Sequence, residues 1–212
     1  MILPLNPFIA QYFGADALTV GALSSIYSIT QFLFAPFWGG LSDRYGRRPI
    51  ILLSVAGVGL SYAAFGLSDQ LWMLFLSRAM AGFFGANIST ASAYIADVTP
   101  PESRSKNMGL IGAAFGIGFV VGPLFGGFLG EAGKTFFPAD SLRAMSLPAF
   151  AAALLSFINF GFAWRFLPET VRRASRRTGR LRSLWNVVSR PVIGSLLSVT
   201  FLSIFAMALM EA

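Results

Sequence analysis

Two residue types that carry much of protein chemistry are missing here: the 212 residues include no cysteine and no histidine. Without cysteine there is no disulfide framework, no thiol nucleophile and no redox clue. Without histidine the commonest metal ligand and general base are gone, so no cofactor or metal is expected and an enzyme is disfavoured. Charge is scarce too. Charged residues make up 12% of the chain, against about 25% in a soluble domain. Hydrophobic residues make up 55%, and the mean hydropathy is +0.68. Such a chain fills a core several times over and lacks the polar surface to cover it.

What it has instead is a series of apolar runs near the ~20 residues that a helix needs to cross a bilayer. The pattern predicts one partial span, five full spans and one truncated span. They run Met1–Tyr12, Leu18–Trp38, Ile50–Leu67, Leu71–Ala96, Asn107–Gly130, Ala144–Leu167, and Val192 to the end. A twelve-residue helix reaches only about 18 Å, against a hydrocarbon core of about 30 Å. Met1–Ala10 makes a poor secretory signal, because it lacks a basic leader and carries Pro4 and Pro7. The expectation is therefore a membrane bundle over 1–167, a basic linker over 168–191, and over 192–212 the start of a seventh helix whose continuation is missing.

Orientation follows from the basic residues. With the hairpin Asp43–Arg48 in the cytoplasm, thirteen of the sixteen Lys and Arg fall on that side. Seven of them, from Arg172 to Arg190, lie in the linker. Lys134 and Arg143 fall outside, and Arg78 lies within a span. The linker has no interleaved aromatic platform apart from Trp185, so contact with anionic lipid head groups is expected and nucleic acid is not.

The hairpin Gly39-Gly40-Leu41-Ser42-Asp43-Arg44-Tyr45-Gly46-Arg47-Arg48-Pro49 is the most informative segment. Gly46 suits a tight turn with positive φ. Asp43 and Arg47 are four residues apart, close enough to pair, and Asp97 ends the fourth span on the same side. A latch of Asp43, Arg47 and Asp97 that holds one conformation and breaks in the other is the expectation. Positive-inside decoration is the alternative, and it explains the arginines but not Asp43 or Gly46.

Arg78 lies about two turns into the fourth span, followed by Gly82, Gly85, Ser89, Ser92 and Ala96 at alternating spacings of four and three. One helix face would carry them all. An arginine facing lipid costs several kcal/mol, so it faces a cavity or partner, unless it snorkels to the outer interface. In the fifth span Gly112, Gly116, Gly118, Gly122, Gly126 and Gly130 recur mostly at intervals of four, which lets helix backbones approach closely. Gly122-Pro123 additionally invites a bend about which a bundle rocks. Ser24, Ser28 and Gln31 recur at helical spacing in the second span, as do Asn87, Thr90 and Tyr94 in the fourth. They either line an aqueous path or hydrogen-bond between helices.

Pro36-Phe37-Trp38-Gly39-Gly40 is echoed 87 residues later by Pro123-Leu124-Phe125-Gly126-Gly127, and Gly46-Arg47 by Gly133-Lys134. Each copy ends the second helix of a three-helix group, on opposite sides of the membrane, as in an inverted repeat.

These residues resemble the major facilitator superfamily, and within it the drug:proton antiporters that include tetracycline exporters. Gly39 to Arg48 is similar to the loop motif between helices 2 and 3, G-x-L-x-D-R-x-G-R-R. Arg78 with Gly82 resembles the helix 4 motif R-x-x-x-G. Gly118 to Gly127 resembles the export-associated helix 5 motif G-x-x-x-G-P-x-x-G-G. Leu3-Pro4-Leu5-Asn6-Pro7 resembles the proline pair that ends helix 1.

The resemblance implies an all-α membrane fold: a six-helix bundle of two inverted three-helix repeats, forming the N-terminal half of a rocking transporter in the cell (plasma or inner) membrane. It implies a cytoplasmic charge relay through Asp43, Arg47, Arg48 and Asp97, and proton transfer at Arg78. It implies hinge and packing positions at Gly39, Gly46, Gly118, Gly122, Pro123, Gly126 and Gly127, and solute-path candidates at Asn6, Gln31 and Asn87. Implied partners are lipid, a small solute, protons, and a missing C-terminal half or a second copy. From helix 2 to helix 6 no Asp or Glu lies mid-membrane, so proton coupling comes from the resemblance alone. Rival readings are a truncated, non-transporting membrane protein or a half-transporter subunit, and export of a sugar or metabolite in place of a drug.

Overall fold

A backbone in lipid must satisfy its own N–H and C=O groups, and a helix does so within a single segment. Among the described residues every regular element is helical. The computed structural model describes residues 14, 16–137 and 141–170, with the backbone alone at 141–145. They belong to the first of two units, Met1–Arg172, while the second, Arg173–Ala212, lies outside the described residues. The partial first span, Asn6, the linker arginines and the start of the seventh helix also lie outside them.

The helices among the described residues are α1 Ala17–Tyr45, α2 Arg47–Gly66, α3 Leu71–Gly85, α4 Ile88–Val98, α5 Arg104–Phe136 and α6 Ser141–Phe166, with a 3-10 turn Pro101–Ser103 before α5. With α3 and α4 taken as one crossing, Leu71–Val98, five segments among the described residues are long and apolar enough to cross a membrane. They are the second to sixth spans of the sequence pattern. The first three-helix repeat lacks its opening helix among the described residues.

The start of α1 is set by Asp16, whose carboxylate accepts from the Thr19 backbone N–H at 2.9 Å and the Thr19 hydroxyl at 2.6 Å. Those two donors hold the Asp16 carboxyl below the usual carboxylate value. Its end is set by Gly46, the turn into α2, at φ 102° and ψ 158°.

α2 packs against α3 and α6, α1 against α3, and α5 against α6. One apolar cluster gathers Leu23, Phe65, Leu74, Ala149 and Ala152. A second, nearer the inner side, gathers Trp38, Ile50 and Ala86. Small residues set the spacing. A Cβ on Gly82 would strike the Tyr27 carbonyl oxygen of α1, and one on Gly57 would strike the Phe84 ring. Outward-facing large side chains such as Phe32, Val120 and Phe128 are exposed, as expected for a lipid-facing surface.

Two expectations need correction. The fourth span is not one rod. It is interrupted at Ala86 and Asn87, so Arg78, Gly82 and Gly85 share a face of α3 while Ser89, Ser92 and Ala96 belong to a separate helix. The reason is tertiary, because side chains of α1 take up the carbonyls freed at the break. The glycines of the fifth span also differ from the reading of close packing throughout. Gly126 is buried and Gly122 and Gly130 are half-buried, but a Cβ on Gly112, Gly116, Gly118 or Gly127 would meet nothing within 4 Å. α5 runs unbroken through Pro123.

Candidate functional site

α2 begins under electrostatic protest. Its first two residues are Arg47 and Arg48, at the end of a helix where cations are disfavoured, and no side chain caps it from its N-cap position. Acids from three other segments make good the deficit. Asp43 on α1 takes Arg47 Nη1 at 2.6 Å, and Asp97 at the end of α4 takes Arg47 Nε at 3.2 Å. Arg47 Nη1 also donates to the Ser42 hydroxyl at 2.6 Å, and that hydroxyl donates to the Gly39 carbonyl at 2.9 Å. The third acid is Glu169, beyond α6. Its Oε1 accepts from the backbone N–H groups of Arg47 at 3.1 Å and Arg48 at 3.4 Å.

Arg47 is therefore held through its side chain by α1 and α4 and through its backbone by the segment after α6. Its side chain is 16% exposed, and those of Asp43 and Asp97 are 31% and 19%. Charge-assisted bonds in such half-shielded positions contribute about 2 kcal/mol each. Arg48, expected in the relay, points elsewhere: its Nη2 donates to the Trp164 carbonyl at 2.6 Å. Tyr94 adds a further tie, its hydroxyl donating to the Pro168 carbonyl at 3.2 Å. The inner ends of α1, α2, α4 and α6 thus meet at one cluster.

Gly46 makes this possible. Its φ of 102° is one that L side chains rarely adopt, and a Cβ there would come within 2.8 Å of Glu169 Oε1. Gly39 is less demanding, since a Cβ would meet only the Ser89 hydroxyl at 3.6 Å. Sequence reasoning did not single out Glu169. The available signal was a helix that starts on two arginines without an acid of its own.

Deeper in the bundle, Arg78 is 5% exposed. Its guanidinium lies 5.0 Å from the Phe65 ring centroid, a cation–π arrangement, and within electrostatic reach of the Tyr27 and Tyr62 hydroxyls. It faces the interior of the bundle and does not snorkel outward. Gln31 and Asn87 make interhelical bonds. Gln31 Nε2 donates to the Gly85 carbonyl at 3.1 Å and, within α1, to the Tyr27 hydroxyl at 3.2 Å, and Asn87 Nδ2 donates to the Ser54 hydroxyl at 2.5 Å. Among the described residues no three His, Cys, Asp or Glu come together to hold a metal.

Comparison with known proteins agrees with this architecture. A family model described as Major Facilitator Superfamily matches residues 1–211. The tetracycline resistance protein, class C, of Escherichia coli is 39% identical over 86% of this chain and 44% of its own length. The bovine (Bos taurus) major facilitator superfamily domain-containing protein 10 is 42% identical over 71% of this chain and 30% of its own. The crystal structure of the human organic anion transporter MFSD10 (TETRAN) superposes with a TM-score of 0.59 at 31% identity, covering 81% of this chain and 38% of that one. The chain spans less than half the length of each of these relatives.

Proposed function

The chain belongs to the Major Facilitator Superfamily, a family of multi-pass membrane transporters, and from that premise we propose that it moves a drug-like solute outward across the cell membrane by alternating access, in exchange for protons. Transport rather than catalysis is the activity. The observation that carries the reading is Arg47, whose guanidinium joins Asp43 on α1 to Asp97 on α4. In the state described, this latch is closed and ties the inner helix ends together. Opening it splits two charge-assisted contacts of about 2 kcal/mol each, a bias within the range that differential binding of a solute reverses.

Arg78 is assigned to proton transfer. It is a cation in apolar surroundings beside two tyrosine hydroxyls, where a changing local charge is felt most strongly. Relatives whose names carry tetracycline resistance and organic anion transport support an amphipathic, drug-like solute over a sugar or other metabolite. The proposal includes, as a partner, a second copy or a companion half that completes the cavity. One alternative reading is a subunit inert on its own.

The test is uptake into everted vesicles of tetracyclines, lipophilic dyes, organic anions and sugars under an imposed proton gradient. Drug uptake that collapses with the gradient is the expected result, and Asp43→Asn lowers it about tenfold, the rate equivalent of about 1.4 kcal/mol. Uptake indifferent to the gradient overturns proton coupling, and a wild-type rate in Asp43→Asn overturns the latch. No uptake by the chain alone, with uptake restored by a co-expressed companion half, supports the subunit reading.

A further inference from the structure

The fourth span is interrupted close to its midpoint. α3 ends at Gly85, Ala86 and Asn87 leave helical geometry with ψ values of 26° and 1°, and α4 restarts at Ile88. Irregular backbone at membrane depth is tolerated only where protein groups satisfy it, and here they are identifiable. The Trp38 indole N–H donates to the Phe83 carbonyl at 2.5 Å, and Gln31 Nε2 donates to the Gly85 carbonyl at 3.1 Å. Asn87 reaches across to Ser54 on α2. No proline lies in the span, so the break is made by these braces and not by a missing N–H.

The two halves are held unequally. α3 buries Leu74, Ser77, Arg78, Ala81 and Gly82, and its backbone lies directly on α1 at Gly82. α4 buries only Thr90 and Tyr94. The Thr90 hydroxyl is fully enclosed and has no hydrogen-bond partner, so this arrangement does not satisfy every group that α4 brings inside. The far end of α4 is fastened through Asp97 to Arg47.

We propose that the interruption at Ala86 and Asn87 is a hinge, about which α4 swings as a lever carrying Asp97 while α3 and its Arg78 stay fixed against α1 and α2. The inference deepens the transport reading and rests on it for the second state, in which the latch is open. An eleven-residue helix is about 16 Å long. A bend of about 20°, the size that marks a true kink, carries its far end through about 6 Å. That separates Asp97 from Arg47 without moving the outer half of the span. Gln31 and Trp38 are positioning residues, which cap freed carbonyls and so hold the hinge in its present setting.

The absence of cysteine allows nitroxide pairs to be introduced directly. An inner pair at Leu53→Cys and Val98→Cys and an outer pair at Leu60→Cys and Leu76→Cys use side chains that are about half exposed. Distances are read by pulsed electron resonance on the whole chain in lipid vesicles. With Asp97→Asn, the inner pair is expected to gain a component displaced by about 6 Å while the outer pair stays unchanged. Equal displacement of both pairs overturns the hinge and leaves the latch standing. No displacement of either overturns the latch, and the hinge is then judged on Gln31→Leu alone. Broadening confined to the inner pair in Gln31→Leu supports the hinge, and an unchanged inner distribution overturns it.

Discussion

The glycines of α2 and α3 and those of α5 are alike in leaving room for a neighbouring helix and have opposite surroundings. Gly82 lies against a backbone carbonyl of α1, and Gly57 lies under the Phe84 ring. Gly112, Gly116 and Gly118 on α5 have nothing within 4 Å of where a Cβ would stand. Close spacing of small residues states that a helix can be approached, and it does not say by what. In the first region the approaching element is part of this bundle. In the second, the exposed face carries Gly118 and Gly127, while Gly126 of the same helix turns inward.

Substitutions sharpen the contrast, and the largest effect belongs to Gly82→Val. The Tyr27 carbonyl oxygen is backbone and cannot step aside, so overpacking costs about 3 kcal/mol. The expected readout is loss of the monodisperse species in detergent chromatography and a lower thermal midpoint. Gly57→Ala comes next at about 2 kcal/mol. The Phe84 ring is a side chain, but it is wedged edge-on against Phe83 with Trp38 beside it, so it has limited room to turn. The same melt measures it.

Gly46→Ala forces a rarely adopted φ and costs about 1–2 kcal/mol. It also displaces Glu169, so protease protection of the hairpin should fall together with the melting temperature. Gly118→Ala is predicted to do the least and with the opposite sign. An open helix-interior glycine replaced by alanine gains up to about 1 kcal/mol. If Gly118→Ala instead destabilises this chain, that face of α5 is occupied and the contrast fails. If it stabilises the chain while impairing uptake in the vesicle assay, the face serves a partner and not the bundle.

The second to sixth spans and the ion pairs of Arg47 with Asp43 and Asp97 were legible in the sequence because each rests on local signals. Hydropathy marks the crossings, Asp43 and Arg47 lie one turn apart, and Asp97 is placed by counting alternate crossings. Glu169 was not legible, because its partners are more than 120 residues away and a lone acid beside a basic linker reads as solvated. The break after Gly85 was hidden for a different reason. Hydropathy is indifferent to whether a carbonyl is satisfied by the next turn or by a side chain of another helix. The sequence around it, Gly85-Ala86-Asn87-Ile88-Ser89, carries no proline to announce it. Gln31 and Asn87 stood equally well for path or for interhelical bonding, and the bonds themselves, from Gln31 to the Gly85 carbonyl and from Asn87 to the Ser54 hydroxyl, needed the facing helices to be seen.

The length of α1 has a consequence for where the charges at Arg47 meet the bilayer. Its 29 residues extend about 43 Å, well beyond the ~30 Å of hydrocarbon, and ordinary tilts of about 20° absorb only a little of the excess. With Asp16 marking its outer end, the last turns, Gly39 to Tyr45, stand proud of the acyl chains among the lipid head groups. The junction of charges at Arg47 consequently lies at the interface, within reach of the charges that lipid head groups carry.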